Sequence, residues 1–459
     1  MSNLLKTVVA FCAVMMGMTV QARDRQCFDN DWRFILGDSA QMSKVEYNDS
    51  WWRKLDVPHD WAIEGDFYAG NPSGAGGGAL PGGIGWYRKH FMIEESNHKV
   101  QSSKFKVQYF LEFDGVYMNS TVYVNGQKVG YRPYGYSSFE YDITPYLKEG
   151  ENVVAVRVDN SDQPNSRWYS GCGIYRHVWL TKTHPVHVAH WGTNVVSTVA
   201  KGKGKVNIEV TLEGKGTVEN TLLDAKGKVV GKSKGLTSTI TINNPKLWSC
   251  ETPYIYKVRT EVKSGGKVVD TYETTTGFRD FKFDPQTGFW LNGKNFKLNG
   301  VCEHHDFGCL GAALNEDALH RKLSKLKAMG VNSIRSSHNP PVPELLNMCD
   351  SMGLIVMDES FDMWRRKKTQ NDYARFFEEW HERDLSDLVL RDRNHPCILM
   401  WSIGNEVLEQ WSSTDSDELT LEQANLLLNA SRDASTLAKD GEMSPNSLLT
   451  IHLVTKSTT

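Results

Sequence analysis

Residues 296–403 alternate apolar runs with amphipathic segments, and this alternation restricts the fold more than any other feature of the chain. The apolar runs lie at 296–301, 331–335, 354–358 and 398–403, and leucines recur every three or four residues in the segments between them. Strands that alternate with helices form parallel sheets through right-handed crossovers. Four β-α steps are therefore predicted, either in an open doubly wound sheet or in a (β/α)8 barrel.

Polar residues follow each apolar run, and their position favours the barrel. They are His304, His305 and Asp306 after the first run, Ser337, His338 and Asn339 after the second, Glu359 after the third, and Asn405 and Glu406 after the fourth. Barrel enzymes build their active sites at the C-terminal ends of the strands. No Gly-rich phosphate fingerprint follows the first run, which argues against a nucleotide-binding doubly wound sheet. Residues 282–459 are therefore predicted to form the first half of a (β/α)8 TIM barrel.

Two β-domains are predicted before the barrel. Residues 23–183 contain short alternating segments and an Asn125-Gly126 hairpin signal, which predict a jelly-roll β-sandwich. The Gly-rich stretch 69–83 is predicted to be a loop that borders a site. Residues 184–281 have a β pattern punctuated by Gly and Lys with few aromatic residues, which predicts an immunoglobulin-like β-sandwich.

The first 22 residues have the pattern of an export signal. Lys6 precedes a largely apolar, uncharged stretch over residues 7–20, and Val20-Gln21-Ala22 resembles a small-residue cleavage site. No other stretch reaches the 18 apolar residues of a membrane span. The mature protein is therefore expected to be exported, either to a bacterial periplasm or out of the cell, without membrane insertion.

Charge and cysteine content exclude several classes of partner and ligand. A net charge of −3 gives no basis for a nucleic-acid partner. The eight cysteines contain no C-x-x-C pair, so neither a disulfide framework nor a zinc site is predicted. We expect no cofactor and no metal ion. The 14 Trp, 17 Tyr and 18 Phe suit sandwich packing, and some of them suit platforms for the apolar faces of sugars.

Glu406 is the strongest catalytic candidate. It ends an apolar run beside Asn405 and close to Trp401, where partial desolvation would favour the protonated form that an acid catalyst needs near neutral pH. A structural Glu that pairs with an Arg in the barrel mouth is the alternative. No G-x-S-x-G elbow is present to supply a serine nucleophile.

His304 and His338 lie at the ends of adjacent predicted strands. Each alone suits a structural histidine as well as a functional one, whereas the pair at one barrel face favours contact with a ligand. A metal site with Asp306 would lack the spacing of a known zinc motif. Acid catalysis by Glu, with neutral polar contacts and aromatic walls, is the pattern of glycoside hydrolysis.

Motifs along nearly the whole mature chain point to one family. They are "VPHDW", "GWYRKHF" and "SRWYSGCGIYRHVWL" in the first domain, "PKLWSCETPYIYKV" and "GFR" in the second, and "LNGVCEHHD", "AMGVNSIRSSHNPP", "LIVMDESFDMW" and "WSIGNE" in the barrel. Together they resemble glycoside hydrolase family 2, which contains β-galactosidases, β-glucuronidases and β-mannosidases. The resemblance implies a sugar-binding jelly roll, an immunoglobulin-like sandwich and a barrel that performs retaining hydrolysis with two glutamates.

The resemblance also implies roles for individual residues. Glu406 matches the general acid/base, and Asn405 matches the residue that hydrogen-bonds the sugar near its 2-hydroxyl. His304 and His338 match positions that line the sugar subsite, and Asp306 matches an Asp of glucuronidase-like members. Asn165 and Arg167 lie with Trp168 in a segment that reaches into the subsite. Trp364 is expected to form an aromatic wall, and Asn339 is also expected to bind substrate.

Two departures from the family pattern affect the expected chemistry. Some family galactosidases hold Mg²⁺ through a Glu and a His after the third strand, and "DESFDMWRRKK" lacks that pair. The nucleophile is expected on a later strand, yet the chain stops 53 residues after Glu406. The downstream carboxylates end no apolar strand; they are Glu409, Asp415, Asp417, Glu418, Glu422, Asp433, Asp440 and Glu442. The nucleophile is therefore predicted to be missing, in a family member truncated within the barrel.

The expected function is hydrolysis of terminal β-linked sugars, with β-galactosides as the first choice. A β-glucuronide is less favoured, because the basic run 365–368 suits a solvated surface better than a site for a substrate carboxylate. The alternative is a non-catalytic or decayed carbohydrate-binding fragment of such an enzyme. The expected partner is an oligosaccharide or glycoside, and a homo-oligomer is left open.

Overall fold

The computed structural model describes residues 23–93 and 107–408. The proposed export signal and the carboxylates from Glu409 onward lie outside the described residues. Among the described helices, none is both long enough and apolar enough to cross a membrane.

The first domain is a sandwich of two antiparallel sheets. Its strands are β1 (Asp24–Cys27), β2 (Trp32–Leu36), β3 (Arg53–Leu55), β4 (Gly83–Ile93), β5 (Gln108–Phe113), β6 (Ser120–Val124), β7 (Gln127–Arg132), β8 (Phe139–Asp142), β9 (Gly150–Asn160) and β10 (Val178–Thr183). The sheet orders are β3-β2-β4-β9-β6-β7 and β1-β10-β5-β8. Val154, Val156 and Val158 alternate along β9 into the core between the sheets, as the two-residue period of a strand requires.

The second domain is a smaller sandwich. Its strands are β11 (His187–Ala200), β12 (Lys203–Glu213), β13 (Thr217–Leu223), β14 (Val229–Lys234), β15 (Thr237–Asn243), β16 (Tyr256–Ser264) and β17 (Lys267–Thr276). They form the sheets β11-β12-β15 and β14-β13-β16-β17. In β12, Val206 and Ile208 are buried while Lys205 and Asn207 are exposed, so one face packs on the core and the other meets water.

The third part is a parallel sheet with helices, preceded by a short antiparallel sheet. The short sheet comprises β18 (Phe281–Asp284), β19 (Gly288–Leu291) and β20 (Lys294–Asn295). The parallel sheet has the order β21-β22-β23-β24. Its strands are β21 (Gly300–Glu303), β22 (Ser333–Ser336), β23 (Ile355–Glu359) and β24 (Ile398–Ser402), and its helices are α1 (Glu316–Ala328), α2 (Pro343–Met352) and α3 (Phe377–Asp392). The predicted sandwiches and half barrel are confirmed.

Helix boundaries follow local chemistry. The Asn315 side chain accepts a hydrogen bond from the Ala318 N–H at 2.8 Å and caps α1, as its sequence position predicts. Pro343 begins α2, where a missing N–H costs nothing.

The first predicted barrel strand was placed too early: residues 296–299 are irregular, because the Phe296 N–H bonds the Phe289 carbonyl of the preceding hairpin.

Buried arginines join the first domain to the barrel. Arg132 at the end of β7 is fully buried, and its Nη2 donates to Asp384 at 2.5 Å and to Asp387 at 2.6 Å, both on α3. Arg176 donates to the carbonyl of Pro340 at 2.9 Å. These contacts fix how the first domain sits against the barrel.

Arg132→Ala should destabilise the protein by about 3–5 kcal/mol, because it leaves the Asp384 carboxylate buried without its cation. Chemical unfolding of the purified chain measures this. Arg259→Ala is the matched control, since it breaks an exposed Arg–Glu pair with Glu273 and should cost at most about 1 kcal/mol. Equal losses in the two variants would contradict the assignment.

Asp358 gives the fold a pH dependence. Burial, and then the neighbouring Asp392, raise the pKa of this carboxyl well above its ordinary value. A carboxyl whose pKa is higher in the folded than in the unfolded protein stabilises the fold fully below its unfolded pKa of about 4. This stabilisation is lost as the pH rises through the pKa in the folded protein. Asp358→Asn stays neutral, so its stability relative to the wild type should rise by up to about 1.4 kcal/mol per pH unit above pH 5.

Urea unfolding at pH 5, 6 and 7 tests this, with the exposed Asp66→Asn as a control that should change little. A pH-independent difference between Asp358→Asn and the wild type would refute a protonated Asp358.

Candidate active site

Glu359 is the buried centre of the four strand ends. Its carboxylate is 0 % exposed at the end of β23. Arg335 on β22 donates to Oε2 through Nε at 3.0 Å and through Nη2 at 2.7 Å, and Ser402 on β24 donates to Oε2 at 2.6 Å. His338 Nδ1 lies 2.8 Å from Oε1. A buried carboxylate is tolerated only when paired and hydrogen-bonded, and the two strands that flank β23 supply that pairing here.

Asn405 is held from both ends of its side-chain amide. Its Oδ1 accepts from Arg335 Nη2 at 2.8 Å, and its Nδ2 donates to Asp362 Oδ1 at 2.8 Å. Its main-chain N–H bonds the Phe361 carbonyl at 2.9 Å. The residue before Glu406 therefore has a fixed side chain and a fixed backbone.

Asp362 connects the barrel to the first domain. Arg167 donates to it through Nε at 3.1 Å and Nη2 at 2.6 Å, and Lys368 donates to Oδ1 at 2.9 Å. Burial alone would raise the pKa of Asp362, but the hydrogen bonds from Arg167 and Asn405, together with the charge of Lys368, outweigh it and lower the pKa. Asp362 is thus held as a carboxylate.

Glu406 follows Asn405 but is not desolvated as predicted. Its side chain is 61 % exposed, and its nearest cation is Arg167, whose Nη1 lies 3.5 Å from Oε2. The backbone has φ +44°, a left-handed conformation uncommon for a long side chain. The expectation of a desolvated carboxylate is therefore wrong for the described residues, because nothing in them covers most of this side chain.

Two histidines and a tryptophan form an aromatic cluster beside these groups. The Trp168 ring lies 5.1 Å from His304 and 5.4 Å from His338, and the two imidazoles are 5.5 Å apart, all measured between ring centroids. Burial, and then the charge of His338, lower the pKa of His304, which favours the neutral imidazole. Trp168, His338 and Asp362 line one cavity. The structure brings together His304, His338, Asn405, Glu406 and Arg167.

Other candidates lie elsewhere or are already bonded. Trp364 is 0 % exposed, and its Nε1 donates to the Ile403 carbonyl at 2.9 Å, so the predicted wall is wrong. The half-buried Trp168 lies beside the two histidines instead. Asn339 is buried and borders an interior cavity against α1 and α2. Asp306 accepts from the Gly308 N–H at 3.3 Å within its own loop. Asn165 donates to Asn160 at 2.7 Å and holds the loop of Arg167.

Arg335, Asp362 and Lys368 were missed as site residues by sequence reasoning. An arginine within a short apolar strand, as Arg335 is in "NSIRSS", was the signal for a buried ion pair. Asp362 and Lys368 lie in a polar loop, where their pairing partners could not be inferred from spacing.

One group of metal-ligating side chains occurs in the described chain, and it lies at the opposite end of the sheet. Asp350, His395 and Cys397 come together just before β24. Asp350 Oδ2 lies 2.6 Å from His395 Nδ1, and Oδ1 accepts from the Cys397 N–H at 2.9 Å. These direct hydrogen bonds tie α2 to the start of β24.

Comparison with known proteins identifies three adjoining family matches. Residues 79–184 match the sugar binding domain of glycosyl hydrolases family 2, residues 182–279 match glycosyl hydrolases family 2, and residues 285–432 match the TIM barrel domain of that family.

Individual relatives agree with these family matches. The chain is 56 % identical to the β-galactosidase BoGH2A of Bacteroides ovatus over 95 % of its own length and 52 % of the relative's. It is 30 % identical to a β-glucuronidase of Bacteroides fragilis, over 83 % of its length and 56 % of the relative's. A solved structure of a family 2 member from Bacteroides cellulosilyticus superposes with a TM-score of 0.83 at 39 % identity, covering 90 % of this chain and 55 % of that one. The chain spans about half the length of the relatives it matches.

Arg335→Met should destabilise the protein by about 3 kcal/mol, because Glu359 would remain buried without its cation. Arg335→Lys should cost less, since the ammonium keeps the charge but cannot form the bidentate pair. Thermal and urea unfolding compare the variants with Arg321→Met, a change on the exposed face of α1. If Arg335→Met costs no more than Arg321→Met, Glu359 does not depend on this pair.

Proposed function

Because this chain belongs to glycoside hydrolase family 2, we propose that its function is the hydrolysis of terminal β-linked sugars, with Glu406 as the general acid/base of a retaining mechanism. The observation that carries this proposal is the arrangement at the end of β24. A fixed amide, Asn405, precedes an accessible carboxylate, Glu406, and both lie next to the cluster of Trp168, His304 and His338.

In a retaining reaction one carboxyl group protonates the leaving oxygen while a second attacks the anomeric carbon, and water later releases the sugar with the first group acting as base. Glu406 has the accessibility needed to donate and recover that proton. Glu359 and Asp362 are committed to Arg335 and to Arg167 and Lys368. We infer that the attacking carboxylate lies outside the described residues.

We infer that the sugar is neutral and that a β-galactoside is the first candidate. Three cations border the site, namely Arg335, Arg167 and Lys368, and three carboxylates lie within 3.5 Å of them, namely Glu359, Asp362 and Glu406. A uronic acid would need an uncompensated cation, because its carboxylate loses hydration in the site. The similarity to a β-galactosidase of Bacteroides ovatus supports the same choice.

A carbohydrate-binding chain without catalysis is the second candidate. The exposure of Glu406 favours it, since an acid catalyst works best where water is partly excluded. The hydrolysis experiment below separates the two candidates. We also infer that the protein is exported, on the pattern of its first 22 residues.

The test uses phenyl β-galactoside and phenyl β-glucuronide, whose unactivated phenol needs a proton to leave, with the 459-residue chain, with and without azide. Azide can take the place of an absent carboxylate nucleophile by attacking the anomeric carbon, while the aryl oxygen leaves with a proton from Glu406. We expect phenol release and glycosyl azide from the galactoside only with azide, and about a 100-fold lower rate in Glu406→Gln.

Turnover without azide that disappears in Glu406→Gln would place the nucleophile within the chain outside the described residues. An equal rate in Glu406→Gln would contradict the role of Glu406. Galactose binding without any turnover would favour the non-catalytic candidate.

A further inference from the structure

Asp362 is the point at which the two domains of the site meet. Its carboxylate accepts hydrogen bonds from Arg167 of the first domain and from Lys368 and Asn405 of the barrel. We call these four residues the Asp362 clamp. Arg167 and Asp362 are 195 positions apart in the chain, so the contact exists only when the first-domain loop is docked.

The Asp362 clamp determines the orientation of the Asn405 amide. The Nδ2 group faces the Asp362 carboxylate, and Oδ1 faces the Arg335 guanidinium. The flipped amide would put oxygen against the carboxylate and N–H groups against the guanidinium, and both contacts would be repulsive. One of the two Nδ2 hydrogens is used by Asp362.

The Asp362 clamp also limits what Arg167 can do to Glu406. Asp362 engages Nε and Nη2 of the guanidinium at 3.1 and 2.6 Å, which leaves Nη1 at 3.5 Å from Glu406. Lys368 donates to the Asn405 carbonyl at 2.5 Å, so the backbone immediately before Glu406 is held by the same group of residues. Loss of Asp362 would free Arg167 to pair fully with Glu406.

We propose that Asp362 is a positioning residue that couples docking of the Arg167 loop to the orientation of Asn405 and the placement of Glu406. Its value for catalysis rests on the proposed function, whereas the coupling itself does not. A site so built presents the sugar contacts of Asn405 only when the first-domain loop is in place.

The test reads the coupling without substrate, so its failure is distinct from a failure of hydrolysis. The full chain is labelled with ¹⁵N-asparagine, and the Asn405 side-chain signal is assigned by its loss in Asn405→Asp. Asp362→Asn should shift this signal and accelerate amide hydrogen exchange about tenfold in residues 160–172 and 403–408. Unchanged amide hydrogen exchange outside these two segments shows that the variant is folded.

Asp162→Asn is the matched control. It removes another Arg–Asp pair between the same loop and the barrel, with Arg375, but Asp162 is 64 % exposed. Exposed pairs contribute little, so this variant should leave both readouts unchanged. Arg167→Lys is the second variant if Asp362→Asn does not fold. It should accelerate exchange in 160–172 and shift the Asn405 signal in the same direction but less than Asp362→Asn does, because the bond from Asn405 to Asp362 remains.

An Asn405 signal that does not move in Asp362→Asn overturns the proposal, as does unchanged exchange in 160–172. If Asp162→Asn has the same effect as Asp362→Asn, the loop is held by general charge attraction and the proposal is also wrong.

Discussion

A carboxylate buried at the end of a parallel strand must be matched by a cation from another element, and the site depends on this constraint twice. Glu359 is matched by Arg335 from the adjacent strand, and Asp362 is matched by Lys368 and by Arg167 from a different domain. An unpaired charge at either position would cost several kcal/mol. Folding of the barrel strands and docking of the first domain are therefore linked at the residues that border Glu406.

Most of the architecture could be predicted from the sequence because it follows from short-range patterns. The alternation of Val206 and Ile208 with Lys205 and Asn207 defines a half-buried strand, and Asn315 and Pro343 mark helix starts. The polar residues after each β-α strand were also predicted to gather at one end of the sheet, because parallel strands place their C-terminal ends together. His304, His338 and Asn405 do gather there.

The remaining details of the site depend on directions and distances that no local pattern contains. Trp364 and Trp168 are both tryptophans in loops, yet one is buried behind Asn405 and the other stands beside the histidines. Asn339 is adjacent to His338 but turns toward α1 and α2. Desolvation of Glu406 was inferred from the apolar run before it, whereas desolvation depends on what covers the side chain in three dimensions. The described residues cover about two-fifths of it.

Charge balance also bears on which ligands the site can accept. Arg335, Arg167 and Lys368 would form a strongly basic patch if their carboxylate partners were absent, and a basic patch would select an anionic sugar. With Glu359 and Asp362 buried among them and Glu406 beside Arg167, three carboxylates offset the three cations, and the directional donors and acceptors remain. The Oδ1 atom of Asn405 faces Arg335. The Asn405 amide and the imidazoles of His304 and His338 are groups that hydrogen-bond neutral hydroxyls. The buried ion pairs that hold the two domains together are therefore also the basis on which we propose an uncharged sugar as the substrate.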